Sequence, residues 1–305
     1  LIGLVGSEMC IRDRNQIMML DILANNNWER PIYFTGGSYE ESEYIWMKDY
    51  LQLDGLVYKL VPIKTSIENN PYEMGRIDSD LMYDIVKKWS WGNSESDEIY
   101  HDPETRKNSI SFRGNLSRLS EKLISEGEYE KAEEILDLAF SKMPIDYYGY
   151  YSLWTPLVKS YYDIGKSEKV KEIVQKLSFK YSDRLSYFSS LEIFNQYDVG
   201  EEIISDIERF RNLIETIQES GEREILADQI KSFISSSEQF NYIYGEYDYY
   251  ISLSNFLVSL LELNEVEYSM SVIDKIEEQL IRRVSVFSNI DAVSYTHLTL
   301  PTIPG

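Results

Sequence analysis

Residues 116–144 read LSRLSEKLISEGEYEKAEEILDLAFSKMP. Their apolar positions recur every three or four residues on both sides of Gly127, at Leu116, Leu119, Leu123, Ala132, Ile135, Leu136 and Ala139. This spacing is typical of amphipathic helices that pack on one face. The segment therefore predicts two helices, joined by a turn at Gly127 and Tyr129, with the second helix ended by Met143 and Pro144.

The predicted pair resembles the tetratricopeptide repeat, a helix–turn–helix of about 34 residues. Leu119 stands at the Leu position of the first helix, Ala132 and Ala139 stand at small-residue positions of the second, and Pro144 stands at the closing Pro. The sequence departs from the repeat at Ser120, which replaces a Gly, and at Leu123, which replaces an aromatic residue. We therefore expect tetratricopeptide-like stacked hairpins.

A second, degenerate copy of the pattern follows at Trp154, Leu157, Tyr161, Gly165, Val170, Val174 and Leu177. Further amphipathic stretches predict helices at residues 201–219, 222–237, 247–263 and 266–283. We expect the last two to form a hairpin around Asn264. Stacked hairpins bury a shared core that no single pair buries alone, so residues 106–292 are predicted to be one helical-repeat domain.

Residues 15–92 predict a small α/β unit. Helices are expected at residues 15–24, at residues 38–48 with Ser38 and Glu41 as a capping box, and from Asp80 to about Trp89 with Ser79 as N-cap. Strands are expected at residues 31–34 and 56–62, and residues 93–105 are predicted to be a polar connector. The expected fold class is therefore mainly α with a small α/β N-terminal unit.

The two ends, residues 1–14 and 293–305, look like translated sequencing adapters. One encoding of Glu8–Asp13 is the reverse complement of one encoding of Val293–Leu298, which two unrelated termini would rarely be. On this interpretation the native segment runs from about Asn15 to Ala292, and Cys10 and His297 are not native. The native segment then has no disulfide, no thiolate nucleophile and no cysteine metal site.

The composition limits the classes of partner. The formal net charge of −22 repels phosphate backbones and anionic lipid, so neither nucleic acid nor direct lipid binding is expected. Hydrophobic residues make up 43% of the chain, enough for a large core. The richest apolar run, Leu253–Leu263, is interrupted by polar residues and falls short of a membrane span.

Three short motifs have both a chemical and a structural interpretation. Asp78-Ser79-Asp80 has the spacing with which many glycosyltransferases hold a metal–nucleotide sugar, but helix capping accounts for it and is favoured. His101 could be a general base or a lone metal ligand, and a solvated loop histidine is favoured. Gly36-Gly37 follows a strand as a phosphate loop does, but the rest of that motif is missing, which favours a turn.

Two larger clusters also have both a chemical and a structural interpretation. The acidic residues Glu95, Asp97, Glu98, Asp102 and Glu104 lack the order of a calcium loop, so a solvated connector is favoured. The aromatic residues that could be stacking platforms for sugar rings, although core positions are favoured, are Tyr242, Tyr244, Tyr247, Tyr249, Tyr250, Trp89, Trp91 and Trp154. The possible partner or glycan contacts are Tyr247, Tyr249, Tyr250, Trp89 and Trp91. We predict no catalytic residue, cofactor or metal.

Four segments carry a family resemblance: residues 19–34 (MLDILANNNWERPIYF), 49–62 (DYLQLDGLVYKLVP), 75–78 (GRID) and 89–92 (WSWG). They resemble a family of bacterial multi-spanning membrane proteins of unknown function that is similar to protein O-mannosyltransferases. The resemblance implies a membrane-embedded N-terminal part that carries sugar transfer from a lipid-linked donor. It also implies a soluble C-terminal tail with tetratricopeptide-like helices on the periplasmic side, and this chain corresponds to the tail.

Three functional hypotheses follow. The leading one is a non-catalytic tail, tethered through membrane segments outside this chain, that binds a protein partner or acceptor through its helical-repeat surface. The second is a glycan-handling enzyme site that uses Asp78 and Asp80 near Trp89 or Trp91. The third is a structural brace that packs on the parent's own membrane domain.

Overall fold

A computed structural model describes residues 16–35, 45–65 and 74–296. The chain divides into two compact units, Leu1–Ile173 and Val174–Gly305. The expectations for Gly36-Gly37, for the capping box of Ser38 and Glu41, and for the adapter residues 1–14 fall outside the described residues.

The first unit begins with a helix and a small sheet. Helix α1 covers residues 16–26 and is followed by Asn27 and Trp28, both with positive φ. Strands β1 (Tyr33–Phe34), β2 (Leu51–Asp54) and β3 (Val57–Leu60) form an antiparallel sheet in the order β1-β3-β2. The predicted strands correspond to β1 and β3, whereas β2 was not predicted.

Strand β2 is buried along its whole length. Its two polar side chains are satisfied internally, because Gln52 Nε2 donates to Asp54 Oδ1 at 2.9 Å and Arg76 Nη1 donates to Gln52 Oε1 at 3.2 Å. The hairpin to β3 turns at Gly55, whose φ of +72° suits a two-residue hairpin turn. Sheet pairing thus buries polar residues that a solvent-facing strand would expose.

The core of this small unit lies between α1, the sheet and a 3₁₀-helix. The 3₁₀-helix covers Ile45–Tyr50, where the sequence predicted the end of an α-helix at Lys48. Its Met47 is buried with Leu51, Leu60 and Met74. These four buried residues are contacted by the partly buried apolar side chains of Met19, Leu23, Ile32, Phe34 and Tyr58.

Helix α2 (Ser79–Lys87) follows the sheet. The predicted pair of helices forms α3 (Pro103–Ser125) and α4 (Tyr129–Lys142), which pack on each other. All seven apolar positions that predicted the pair are buried. Helix α3 begins inside the predicted connector, since the Asp102 side chain accepts hydrogen bonds from the backbone N–H groups of Glu104 (2.9 Å) and Thr105 (3.1 Å). Asp102 and Pro103 thus form a normal helix start, which the sequence interpretation missed.

Three elements follow in the first unit: α5 (Ile145–Tyr148), a 3₁₀-helix at Tyr151–Trp154 and α6 (Thr155–Asp163). Helix α6 packs against both α3 and α4, and Ser120 Oγ donates to Ser160 Oγ at 3.3 Å across the contact. The predicted apolar positions Trp154, Leu157 and Tyr161 are buried. Helix α7 (Ser167–Ser189) contains the boundary between the two units.

The described residues of the second unit form helices joined by short turns, beginning with the end of α7. Its helices are α8 (Ile193–Asp198), α9 (Gly200–Glu219), α10 (Leu226–Ser237), α11 (Asn241–Tyr244), α12 (Glu246–Glu262) and α13 (Val266–Thr296). A 3₁₀-helix at Glu238–Phe240 precedes α11. The core of the second unit includes the buried rings of Phe210, Phe233 and Phe256. Phe233 meets each of the other two rings edge to face, with ring centroids 5.5 Å apart.

The fold class is confirmed as mainly α with a small α/β N-terminal unit. Helices α12 and α13 pack on each other around Asn264, as predicted. Helix α10 begins at Leu226 rather than at residue 222, α13 continues beyond the predicted end at residue 283, and the short helices α8 and α11 were not predicted. The tetratricopeptide resemblance and the predicted domain limits stay predictions.

Candidate functional site

Asp78 and Asp80, the carboxylates of the enzyme hypothesis, lie at the start of α2 (Ser79–Lys87). Asp78 is the N-cap, and its Oδ1 accepts a hydrogen bond from the backbone N–H of Leu81 at 3.2 Å. The expectation that Ser79 caps this helix was therefore wrong by one residue. Ser79 Oγ donates instead to Glu126, and Asp80 Oδ1 forms an ion pair with Lys131 Nζ at 2.8 Å.

These contacts belong to a polar row that joins α2 to the α3–α4 pair. At the far end of the row, Glu134 Oε2 accepts hydrogen bonds from Tyr83 Oη at 2.5 Å and from Lys87 Nζ at 2.8 Å. The hydrogen bond from Lys87 is the main reason that the pKa of Glu134 is lowered. Both carboxylates of the Asp78-Ser79-Asp80 motif thus have structural partners.

Helix α3 also binds backbone carbonyls of the α/β unit. Asn115 Nδ2 donates to the Gly55 carbonyl at 2.8 Å. Arg118 donates from Nη1 to the Met74 carbonyl at 3.0 Å and from Nη2 to the Gly75 carbonyl at 2.7 Å. The α/β unit and the α3–α4 pair are therefore joined on two sides, through α2 and through α3.

Trp89 and Trp91 meet in one half-buried aromatic cluster with Phe112 of α3. The ring centroid of Trp89 lies 5.6 Å from that of Trp91 and 5.2 Å from that of Phe112. A methyl group at Gly55 would lie only 3.0 Å from Trp89 Cζ2, so this ring packs directly on the β2–β3 turn. Trp89 is therefore mainly a packing residue, with part of its ring at the surface.

The tyrosines at the start of α12 differ in their surroundings. Tyr249 is fully buried and its hydroxyl lies 3.0 Å from Ser237 Oγ, so Tyr249 is a core residue and not an exposed contact. Tyr250 is half-buried, and its hydroxyl accepts a hydrogen bond from Asn241 Nδ2 at 3.2 Å. The side chain of Tyr247 lies outside the described side chains.

His101 and the acidic connector have packing and pairing roles. The His101 ring stacks on Tyr147 with a centroid separation of 5.8 Å, and its Nε2 lies 3.2 Å from the Ser96 carbonyl. Glu95 pairs with Lys142 at 2.6 Å, which is the main cause of the lowered pKa of Glu95. Within residues 16–35, 45–65 and 74–296, no group of three or more His, Cys, Asp and Glu side chains could hold a metal ion.

An exposed aromatic surface in the second unit was missed by the sequence interpretation. It consists of Ile193 and Tyr197 on α8 and Tyr242 on α11, and we call it the α8 face. The centroids of the Tyr197 and Tyr242 rings are 5.6 Å apart. The sequence indicates Tyr242 as a possible stacking platform, but it does not predict that Tyr242 lies beside Tyr197.

One family comparison finds a match. The family described as TMEM260-associated domain 2 matches residues 7–81, which begin within the predicted adapter and end in α2. The matched range contains three of the four segments that carry the family resemblance. Neither the comparison with curated proteins nor the comparison with solved structures finds a match.

None of the helices in the described ranges combines the length and the apolar character that crossing a bilayer needs. The family match, however, suggests the context of a glycosyltransferase-like membrane protein.

Proposed function

We propose that this chain is the helical, partner-binding tail of a glycosyltransferase-like membrane protein, and that it holds no catalytic group of that reaction. The tail faces the periplasm and is tethered through membrane segments that lie outside this chain. It binds a protein partner or acceptor for the parent transferase. The observation that carries the proposal is the match to the TMEM260-associated domain.

The matched description supports the parent's reaction class. TMEM260 is an O-mannosyltransferase-like membrane protein, in agreement with the resemblance of residues 19–34, 49–62 and 75–78. The match ends in α2, which the polar row joins to α4. The matched residues and the α3–α4 pair therefore belong to the same compact unit.

The placement of the carboxylates supports a tail without catalysis. Asp78 caps a helix and Asp80 pairs with Lys131, so each already has a structural role. The charge of −22 supports a basic or polar protein partner, because opposite charges accelerate encounter and suppress unsuitable partners. Paired helices provide the extended surfaces on which such partners bind.

The enzyme alternative is tested by Asp78→Asn and Asp80→Asn in the parent protein. Asn is as good an N-cap as Asp, so Asp78→Asn removes the charge and leaves the helix start in place. We expect membranes that contain either variant to transfer sugar as fast as unmodified membranes do. Loss of transfer, with an unchanged circular dichroism spectrum and unfolding midpoint of the chain, would show that the site is catalytic.

The brace alternative is tested by binding. The immobilised chain is mixed with acceptor proteins that the parent glycosylates and, as a control, with proteins of similar size and charge that it does not. We expect retention of the acceptors only. A brace would retain neither set, and retention of both sets equally would show a charge effect without specificity.

A further inference from the structure

Helix α8 exposes two of its apolar side chains and buries a polar one. Its polar Gln196 is only 7% exposed, whereas Ile193 is 68% and Tyr197 is 61% exposed. Ile193 and Tyr197 are four residues apart and therefore share one face of the helix. Surface helices ordinarily bury the apolar side, so these two side chains form a face that packing among the described side chains does not explain.

Hydrogen bonds stabilise the buried side chain of Gln196. Gln196 Nε2 donates to the Leu191 carbonyl at 2.7 Å, and Gln196 Oε1 accepts a hydrogen bond from Tyr242 Oη. This bond holds the Tyr242 ring, which is 38% exposed, against Tyr197 at an interplanar angle of 67°. The two rings of the α8 face are thus held in place before any partner binds.

The segments that adjoin the α8 face are rich in acidic residues and poor in basic ones. Residues 185–208 contain no Lys or Arg, and neither do residues 232–274. A Cβ atom at Gly200 would lie 3.6 Å from Ile243 Cγ2, which places the start of α9 beside α11 and its Tyr242. The exposed acidic residues on these adjoining segments are Glu192, Asp198, Glu201, Glu202 and Asp248.

The three arginines of α7 and α9 that follow are matched by three carboxylates with which they form ion pairs. Arg211 forms ion pairs with Glu208 at 2.5 Å and with Glu215 at 3.5 Å. Arg184 and Arg209 both bond to the buried carboxylate of Asp206, at 2.6 Å and 3.3 Å. The exposed carboxylates on the segments that adjoin the α8 face, which we call the acidic rim, therefore carry a negative charge that these arginines do not balance.

The combination of rings and carboxylates selects one class of occupant. A neutral glycan could stack on the rings and donate hydroxyl hydrogen bonds to the carboxylates, but it carries no positive charge for them to attract. Nucleic acid, anionic lipid and a second copy of this acidic chain would all be repelled. A cationic side chain gains twice, because it is attracted to the face of a tyrosine ring and to the surrounding carboxylates.

We propose that the α8 face binds a Lys- or Arg-rich segment of a protein partner, with a cationic side chain over Tyr197 or Tyr242 and its neighbours paired with the acidic rim. This inference rests on the proposed function as a partner-binding tail. It adds the chemistry of the partner and the position of the contact.

The aromatic part of the contact is tested with a fluorescently labelled oligoarginine peptide and the full chain, by fluorescence anisotropy. We expect Tyr197→Ala to weaken binding about threefold, the size of an exposed cation–π contact. Phe179→Ala is the matched control, because Phe179 is 65% exposed in the same unit but lies beside Lys176 and Lys180. Equal binding by the unmodified chain and Tyr197→Ala would overturn the proposal.

The charge part is tested with two double variants that remove the same charge. Glu201→Gln/Glu202→Gln should weaken binding at low ionic strength, and the effect should shrink as salt is added. Glu98→Gln/Glu104→Gln, in the first unit, should leave binding unchanged. An equal loss in both would show that only net charge matters, and the α8 face would then have no part in binding.

Two further outcomes would also overturn the proposal. One is binding of maltohexaose that Tyr197→Ala abolishes, which would make the α8 face a glycan site. The other is self-association of the chain that the same substitution abolishes. If the acceptors of the parent protein bind equally well to the unmodified chain and to Tyr197→Ala, this inference fails while the proposed function stands.

Discussion

The guanidinium of Arg113 lies 4.7 Å from the ring centroid of Trp154, and both side chains are fully buried. Arg113 Nη1 donates to the Gly149 carbonyl at 2.7 Å, and its Nη2 donates to Ser109 Oγ at 3.0 Å. Within the described ranges no carboxylate is bonded to this guanidinium, and burial lowers its pKa to about 10. Arg113 thus joins α3 to the segment between α5 and α6.

Arg113→Met should lower the free energy of unfolding by about 3 kcal/mol, because it keeps the apolar stem but leaves the Gly149 carbonyl without its charged donor. Urea unfolding followed by circular dichroism measures the change. Arg223→Met is the control, since Arg223 is exposed in the α9–α10 connection and should change stability by less than about 0.5 kcal/mol. Equal stability of Arg113→Met and the unmodified chain would show that this contact is dispensable.

Asp78→Ala should destabilise the chain by about 1 kcal/mol, because it removes the side chain that caps α2. Asp78→Asn should have a much smaller effect, since an amide oxygen accepts the same hydrogen bond from Leu81. Chemical denaturation of the two variants in parallel measures the difference. If the two variants lose equal stability, the negative charge of Asp78 matters and its capping hydrogen bond does not.

Gly75→Ala should be more destabilising than Gly127→Ala, although both glycines have similar positive φ angles, +85° and +82°. A Cβ at Gly75 would lie 3.0 Å from Tyr58 Cδ1 and 3.3 Å from the Leu53 backbone nitrogen, whereas one at Gly127 would have no neighbour within 4 Å. We expect a cost of about 1 kcal/mol at Gly127 from backbone strain alone, and about 3 kcal/mol at Gly75. Thermal unfolding compares the two; a larger loss at Gly127 would contradict the close contact at Gly75.

The packing of α3 on α4 could be predicted, because the spacing of apolar residues within each helix indicates which face is buried. Leu119 and Ala132 repeat with the helical period, and burial of one face follows from that period alone. Strand β2 could not be predicted in the same way, because four residues carry little pattern and their burial depends on pairing with β3. The cap of α2 was misplaced by one residue, since Asp78 and Ser79 are both good caps and only the extended backbone at Asp78 decides between them.

The α8 face depends on contacts that no local pattern contains. Gln196 is buried because Tyr242 and the Leu191 carbonyl satisfy its amide, and Tyr242 lies far along the chain. A helix with Ile193 and Tyr197 at a spacing of four predicts an apolar face that packs inward, which is the opposite of what the structure shows. The signal that the sequence did carry is the absence of Lys and Arg from residues 185–208.

Alkaline pH should destabilise the second unit through its buried tyrosines. Burial is the main reason that the pKa of Tyr249 is raised and that the pKa of Tyr244 is raised to about 12. Between about pH 10 and pH 12, these phenols ionise in the unfolded chain but keep their protons in the folded chain. The unfolded state then binds fewer protons, so the free energy of unfolding falls as the pH rises.

The measurement is urea unfolding at a series of pH values, compared between the unmodified chain and Tyr249→Phe. At neutral pH the variant should lose about 1 kcal/mol, because the hydroxyl contact with Ser237 is gone. Above pH 10 its stability should fall less steeply than that of the unmodified chain, since one buried phenol no longer titrates. Tyr129→Phe, which changes an exposed ring in the first unit, is the control. If the free energy of unfolding of Tyr249→Phe falls above pH 10 as steeply as that of the unmodified chain, Tyr249 is not among the groups that destabilise the chain at alkaline pH.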